Sequence, residues 1–346
     1  MQTLHEVLKL RSPEIWVTKL LIAANVLVFA AMLLDGAGLW HSTNEVQLAL
    51  GANFGPATQD GEWWRLASAM FLHFGAVHLL LNMWALWDAG QWVERMYGRW
   101  RFASIYIISG LSGNLLSLVV QGNSAVSGGA SGAIFGIYGA LLTFLWRERS
   151  AITSHEFRWL FWGALGFAIA TIILGFIVPG IDNSAHVGGF ISGILASIVF
   201  SQSINSKVLP IKTSLIAACG MLSLIALLVL NIPAPKYHWS DELLIRKQID
   251  EFLLQDQAIN RSWLEIMQAG RQSNTTFDGL ASQIDSTITN PYEESFEKLS
   301  QLPANPALPS AAQLESLLKY TRQRQDESRA LAEKLRNQQS SISKPK

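Results

Sequence analysis

Ser131, His186, His78 and Asn82 are the residues whose types could do chemistry together. Each stands in an otherwise apolar stretch: Gly129-Ala130-Ser131-Gly132, Ala185-His186-Val187-Gly188-Gly189, and His78 through Asn82. Polar side chains are costly in hydrocarbon, where they pair with one another or line a watery cavity. A serine hydroxyl and an imidazole are the minimum for nucleophilic catalysis. The imidazole titrates near neutrality, takes the hydroxyl proton and returns it to a leaving amine. A serine that opens a helix also has unpaired backbone N–H groups beside it, able to hold an oxyanion. His78 and Asn82, four residues apart, project from one helix face and can both donate hydrogen bonds. His73, five residues before His78, points elsewhere on the helix and reads as structural.

Each segment also has a plainer reading. Gly128, Gly129, Gly132, Gly136 and Gly139 make a small-residue face for close helix packing, His186 can bridge helices, and His78 and Asn82 can act as polar glue between them. Together, however, the three segments supply nucleophile, base and oxyanion donors without duplication, the set acyl transfer requires. No buried carboxylate offers itself as a third member, because Asp182, four residues before His186, is expected at the water surface. The expectation is a Ser–His dyad that calls for no metal and no cofactor.

The elements that must position these residues are membrane helices. Of 346 residues, 50% are hydrophobic and 15% charged, too apolar for an ordinary soluble chain of this length. The 26 basic and 26 acidic residues balance, so nothing favours nucleic acid or an acidic partner. The single cysteine, Cys219, excludes an internal disulfide and reads as a small packing residue. Glu6 and Glu14 among Lys9, Arg11 and Lys19 do not make an acid-poor targeting segment, and no small-residue cleavage site follows, so the first apolar stretch is expected to be retained.

Apolar runs of roughly the 20 residues that a bilayer requires occur near 15–35, 67–92, 102–121, 131–147, 158–179, 184–202 and 212–232. The fourth is short, and its approach from Gly122 to Ala130 is expected to dip into the membrane while buried in protein. Lys and Arg cluster before the first run and in the connections after the second, fourth and sixth, which places those ends and the N-terminus in the cytoplasm and the C-terminus outside. The second, fourth and sixth runs then point the same way, so that His78, Ser131 and His186 can share one depth toward the outer leaflet. Segments 1–14, 15–205, 206–232 and 233–346 are accordingly read as a cytoplasmic lead, a six-helix core, a seventh span and an extracytoplasmic, mainly helical region. In the last, apolar residues recur at three- and four-residue steps from 243 to 266, a second helix is expected over 277–302, Pro303, Pro306 and Pro309 break the chain, a third helix covers 311–337, and disorder follows from Asn337.

These segments closely resemble the rhomboid intramembrane serine proteases. His73-Phe74-Gly75-Ala76-Val77-His78-Leu79-Leu80-Leu81-Asn82 is similar to that family's two-histidine-and-asparagine helix. Gly129 through Gly136 resembles its nucleophile segment, and Ala185 through Gly189, with Gly193, its base segment. Trp64-Arg65 resembles the pair that ends the family's first outer loop, and Gly90, Glu94 and Gly98 its Gly-x-x-x-Glu-x-x-x-Gly element. The resemblance covers roughly residues 15 to 205. It implies a rhomboid-like six-helix bundle, with Ser131 as nucleophile and His186 as base; the seventh span lies outside this shared core, as an addition found in part of the family. It implies an oxyanion site of His78, Asn82 and the Ser131 N–H, and a scaffold that includes His73, Trp64, Arg65, Glu94, Gly129, Gly132, Gly189 and Gly193. Phe135 stands where some members have a tyrosine stacked on the histidine, and phenylalanine keeps that stacking face. Substrates would be transmembrane proteins of the same bilayer. Apart from the resemblance, the lack of an organelle signal points to a bacterial cytoplasmic membrane, and the C-terminal region reads as a helical appendage for self-association or stability, or else for docking a substrate or partner. A non-catalytic binding or escort protein on the same scaffold is the alternative.

Overall fold

The structure is a computed structural model that describes residues 3–12, 14–202, 210–271 and 276–342. It is helical throughout, and among the described residues the only β pairing is an isolated bridge between Asn53 and Ser127. Two compact units divide at Pro235 and Lys236.

Among its described residues the first unit holds seven helices of 17 residues or more: α1 Val17–Leu34, α2 Ala76–Tyr97, α3 Arg99–Gln121, α4 Ser131–Arg147, α5 Ser154–Ile177, α6 Asn183–Val199 and α7 Ile211–Leu230. α1, α3, α5 and α7 are 18, 23, 24 and 20 residues long, with mean hydropathies from 1.7 to 2.4, long and apolar enough to cross a bilayer. Hydrophobic side chains such as Leu27 on α1, Ile173 and Phe176 on α5, and Leu222 and Leu230 on α7 remain exposed on the protein, as on a lipid-facing surface. α4, at 17 residues, is buried along nearly its whole length from Gly132 to Leu145. Its near-absence of polar side chains is that of a helix hidden all round.

Small residues set how closely α4 meets α6. A Cβ placed on Gly132 would lie 3.2 Å from the Ala185 carbonyl, and one on Gly139 only 2.6 Å from that of Phe190. On the facing helix, a Cβ on Gly189 or Gly193 would run into the Gly132 or Gly136 carbonyl oxygen. The two backbones therefore touch directly, the contact that small residues permit between membrane helices.

The second span departs from the expected continuous run over 67–92. The chain from Arg65 to Phe71 meets α2 at an angle of 92°. The intervening segment turns its backbone groups to the first loop instead of to a helix: Ser42 N–H donates to Phe74 O, 2.9 Å, and Ala76 N–H to Leu39 O, 2.8 Å. His73 lies in this break, not on the helix. α2 then runs beyond residue 92 to Tyr97 and passes into α3 through Gly98, whose φ of +79° suits glycine. Cys219 is exposed on α7, so the packing role expected of it does not hold.

The second unit comprises α8 Trp239–Ala269, α9 Phe277–Ile284, α10 Asn290–Ser300 and α11 Ala311–Ile342, with a π-helical turn, Asp285–Thr289, joining α9 to α10. Buried Ile245, Ile249, Phe252, Ile259 and Ile266 form the apolar stripe of α8, and Leu314, Thr321, Gln325, Ser328 and Ala332 the buried face of α11. Disorder does not begin at Asn337 as expected. α11 continues to Ile342, and Gln339 Oε1 accepts a hydrogen bond from Phe277 N–H, 3.2 Å, at the start of α9.

Candidate active site

The start of α4 is shaped by Gly129. Its φ is +139°, and its N–H donates to Ala69 O at 2.8 Å. A Cβ there would lie 2.9 and 3.0 Å from Cε1 and Nε2 of His78 and 3.8 Å from Ser131 Oγ. Only glycine fits both the backbone conformation and the space, and that space is flanked by the His78 ring on one side and the Ser131 hydroxyl on the other. Ser131 is the first residue of α4 and half-buried, with the unpaired N–H groups of the helix N-terminus around it.

His78 projects from the first turn of α2. Its Nδ1 accepts a hydrogen bond from Phe74 N–H at 3.4 Å. That places the hydrogen of a neutral ring on Nε2, the nitrogen turned toward Gly129, and makes it a donor. His73, fully buried, contacts His78 edge to face at 5.0 Å between ring centroids, so it braces the ring instead of pointing elsewhere. One turn along α2, Asn82 donates from Nδ2 to the His78 carbonyl at 2.8 Å, which spends one of its two amide hydrogens.

His186 lies in the first turn of α6, 4% exposed. Phe135 lies flat against it, ring centroids 4.2 Å apart and planes 7° from parallel. Among the described residues its Nδ1 has no hydrogen-bond partner, so stacking, not a carboxylate, holds the ring. Asp182, expected only at the water surface, is tied into the structure by hydrogen bonds. It is half-buried and accepts hydrogen bonds from Ser117 Oγ at 2.5 Å, Ser127 Oγ at 2.7 Å and, as the N-cap of α6, Ala185 N–H at 3.0 Å.

Ser131, His186, His78, Asn82 and Phe135 all line one cavity of about 840 Å³. Val77, Leu81 and Trp84 of α2 and Phe167 and Leu174 of α5 give it an apolar flank, while Asn114, Ser127, Thr171 and Asp182 add polar lining elsewhere. A polar end with nucleophile, base and donors joined to a greasy flank can hold an extended peptide and attack its carbonyl. Among the described residues no group of three or more His, Cys, Asp or Glu side chains could hold a metal ion.

Arg65 and Glu94 lie away from the cavity. Arg65, 4% exposed, pairs with Glu62 at 2.6 Å, donates to the Leu48 and Ala52 carbonyls at 2.6 and 3.1 Å, and stacks on Trp64 at 4.9 Å, tying the first loop together. Glu94, fully buried, accepts from the Trp16, Val17 and Thr18 N–H groups at 2.8, 2.9 and 2.8 Å and from the Thr18 hydroxyl at 2.7 Å. Its carboxylate thus caps the N-terminus of α1 and favours the positive end of that helix. The Asp182 contacts were not anticipated from sequence, although an aspartate just before a helix start is a capping signal.

A helical membrane protein with serine, imidazole and hydrogen-bond donors around one cavity is the class these observations define. A family model for the rhomboid domain matches residues 60–203. The chain is 41% identical over 186 residues to the rhomboid protease GluP of Bacillus subtilis (strain 168), covering 52% of this chain but 34% of that protein. It is 36% identical over 164 residues to the putative rhomboid protease YdcA of the same organism, covering 47% of this chain and 77% of that one. To the rhomboid protease AarA of Providencia stuartii it is 30% identical over 203 residues, 53% of this chain and 72% of that one. The chain belongs to the rhomboid family.

Proposed function

We propose that the protein is an intramembrane serine endopeptidase that cuts other membrane proteins in or near their transmembrane helices. Ser131 attacks the scissile carbonyl, and His186 takes its proton and delivers it to the leaving amine. The oxyanion is met by His78 Nε2–H, the free amide hydrogen of Asn82 and the Ser131 N–H. The observation that carries this reading is the convergence of all four residues on one cavity, with Phe135 stacked on His186. The apolar flank between α2 and α5 suits a hydrophobic substrate segment. Because a helical peptide bond is shielded by its own hydrogen bond, cleavage is expected where small or helix-weakening residues let the substrate unwind. The distribution of Lys and Arg supports a cytoplasmic N-terminus and an outward-facing cavity.

The test is labelling of the full chain in liposomes by a serine-reactive fluorophosphonate, together with cleavage of a model transmembrane substrate. Both are expected for the wild type and neither for Ser131→Ala or His186→Ala. Wild-type protein that binds the substrate but neither cuts it nor takes the label would establish a binding or escort role instead.

A further inference from the structure

Asp182 gathers donors from three elements. Ser117 comes from α3, Ser127 from the loop that leads into α4, and Ala185 N–H from α6 itself, at 2.5, 2.7 and 3.0 Å. Both serines are buried, at 2% and 8% exposure, and each spends its only hydrogen on this carboxylate. Hydroxyl-to-carboxylate bonds of this length are the strong, charge-assisted kind, and removing the acceptor would leave two buried donors unsatisfied.

The positions of these groups in the chain matter more than their number. Ser127 lies four residues before Ser131, and its backbone is fixed a second time by the paired hydrogen bonds with Asn53, 2.9 and 2.8 Å. Asp182 lies one helical turn before His186, whose N–H donates to the Asp182 carbonyl at 3.2 Å. One carboxylate therefore links the loop that delivers the nucleophile to the turn that presents the base. The glycine contacts between α4 and α6 set the distance between the helices, but they do not fix the loop ahead of Ser131.

We propose that Asp182, acting through Ser127, is a positioning residue that holds the Ser131 loop in register with His186. This rests on the protease reading above and assigns no contact between Asp182 and the substrate. A misplacement of about 1 Å in such an arrangement can cost roughly a hundredfold in rate, so a side chain outside the reacting set can still govern turnover.

The experiment uses the full chain in liposomes with Ser127→Ala, Ser127→Thr, Asp182→Ala and wild type. It measures kcat and KM on a model transmembrane substrate, the rate of fluorophosphonate labelling, the thermal midpoint, and hydrogen exchange of residues 122–130. Ser127→Ala and Asp182→Ala are expected to lower kcat and labelling rate about tenfold or more, with KM within about twofold, and to speed exchange in that loop. Ser127→Thr, which keeps the hydroxyl, should restore all three. Wild-type kcat and exchange in both alanine variants would overturn the proposal, as would a kcat loss explained entirely by a lower folded fraction at the assay temperature. An inactive, unlabelled wild type would sink the protease reading, whereas an active wild type with unaffected variants sinks only the role of Asp182.

Discussion

Phe135 and His186 lie parallel, 4.2 Å between ring centroids and 7° between planes; on the proposed mechanism this contact does the orienting that a carboxylate does in a three-membered catalytic set. An imidazole on a helix has two side-chain torsions to fix. Here burial and stacking fix them, while Nδ1 stays without a partner among the described residues.

Aromatic pairs contribute about 0.5–1.5 kcal/mol beyond their buried area, equivalent to about a two- to thirteenfold change in rate if the loss falls on the transition state. Phe135→Leu is therefore expected to lower kcat by that factor with KM little changed, and Phe135→Tyr to stay within about twofold of wild type. Steady-state cleavage of a model transmembrane substrate in liposomes decides it. Equal activity in the leucine variant would show that His186 is oriented by something other than the ring beside it.

His78 and Asn82 are expected to contribute unequally. His78 presents Nε2–H to the space beside Gly129 because Phe74 N–H occupies Nδ1 at 3.4 Å, whereas Asn82 spends one hydrogen on the His78 carbonyl at 2.8 Å. Losing a dedicated oxyanion donor costs about 10²–10³ in kcat, the loss expected for His78→Phe. Asn82→Leu gives up an ordinary shared hydrogen bond, and about tenfold is expected. Comparable losses in the two variants, measured as kcat at saturating substrate, would contradict the proposed division of labour.

Glu94 is expected to matter for stability and not for turnover. It is fully buried and accepts four hydrogen bonds from the first residues of α1. Glu94→Gln turns one accepting oxygen into a donor facing other donors, at a cost of about 1–3 kcal/mol. The thermal midpoint should fall, while kcat per folded molecule stays within about twofold. A normal midpoint with reduced kcat would place Glu94 in the catalytic path instead.

The helical architecture was legible because burial in a bilayer imposes long apolar runs, and α1, α3, α5 and α7 answer to them directly. The break before α2 was not legible. Residues 72–75, Leu-His-Phe-Gly, sit within an apolar run, and the break there is held by hydrogen bonding to Leu39 and Ser42, partners distant in sequence. At the site, types and spacing pointed to Ser131, His186, His78 and Asn82, which line the same cavity. The contacts of Asp182 were not legible because only the fold brings Ser117 and Ser127, distant in sequence, against it. His73 was misplaced for the same reason as the break: on a continuous helix it would face away from His78, and the bend turns it back.

The C-terminal unit has its own buried carboxylate. Glu242 on α8 is fully buried and accepts from Arg246 Nε at 2.6 Å and from the N–H and hydroxyl of Ser310 at 3.1 and 2.7 Å. Ser310 immediately precedes α11, and its carbonyl accepts from Leu314 N–H at 2.9 Å, so Glu242 holds the start of α11 against α8. Because Arg246 is 40% exposed, the ion pair itself contributes little, and the main loss in Glu242→Ala is the two Ser310 donors, about 1–3 kcal/mol each. The connection over residues 301–310 should then become sensitive to limited proteolysis. Cleavage of a substrate reduced to one transmembrane segment should remain within about twofold of wild type, since the residues that line the cavity all belong to the first unit. If this variant loses activity on that minimal substrate while the first unit keeps its thermal transition, the C-terminal unit takes part in turnover itself.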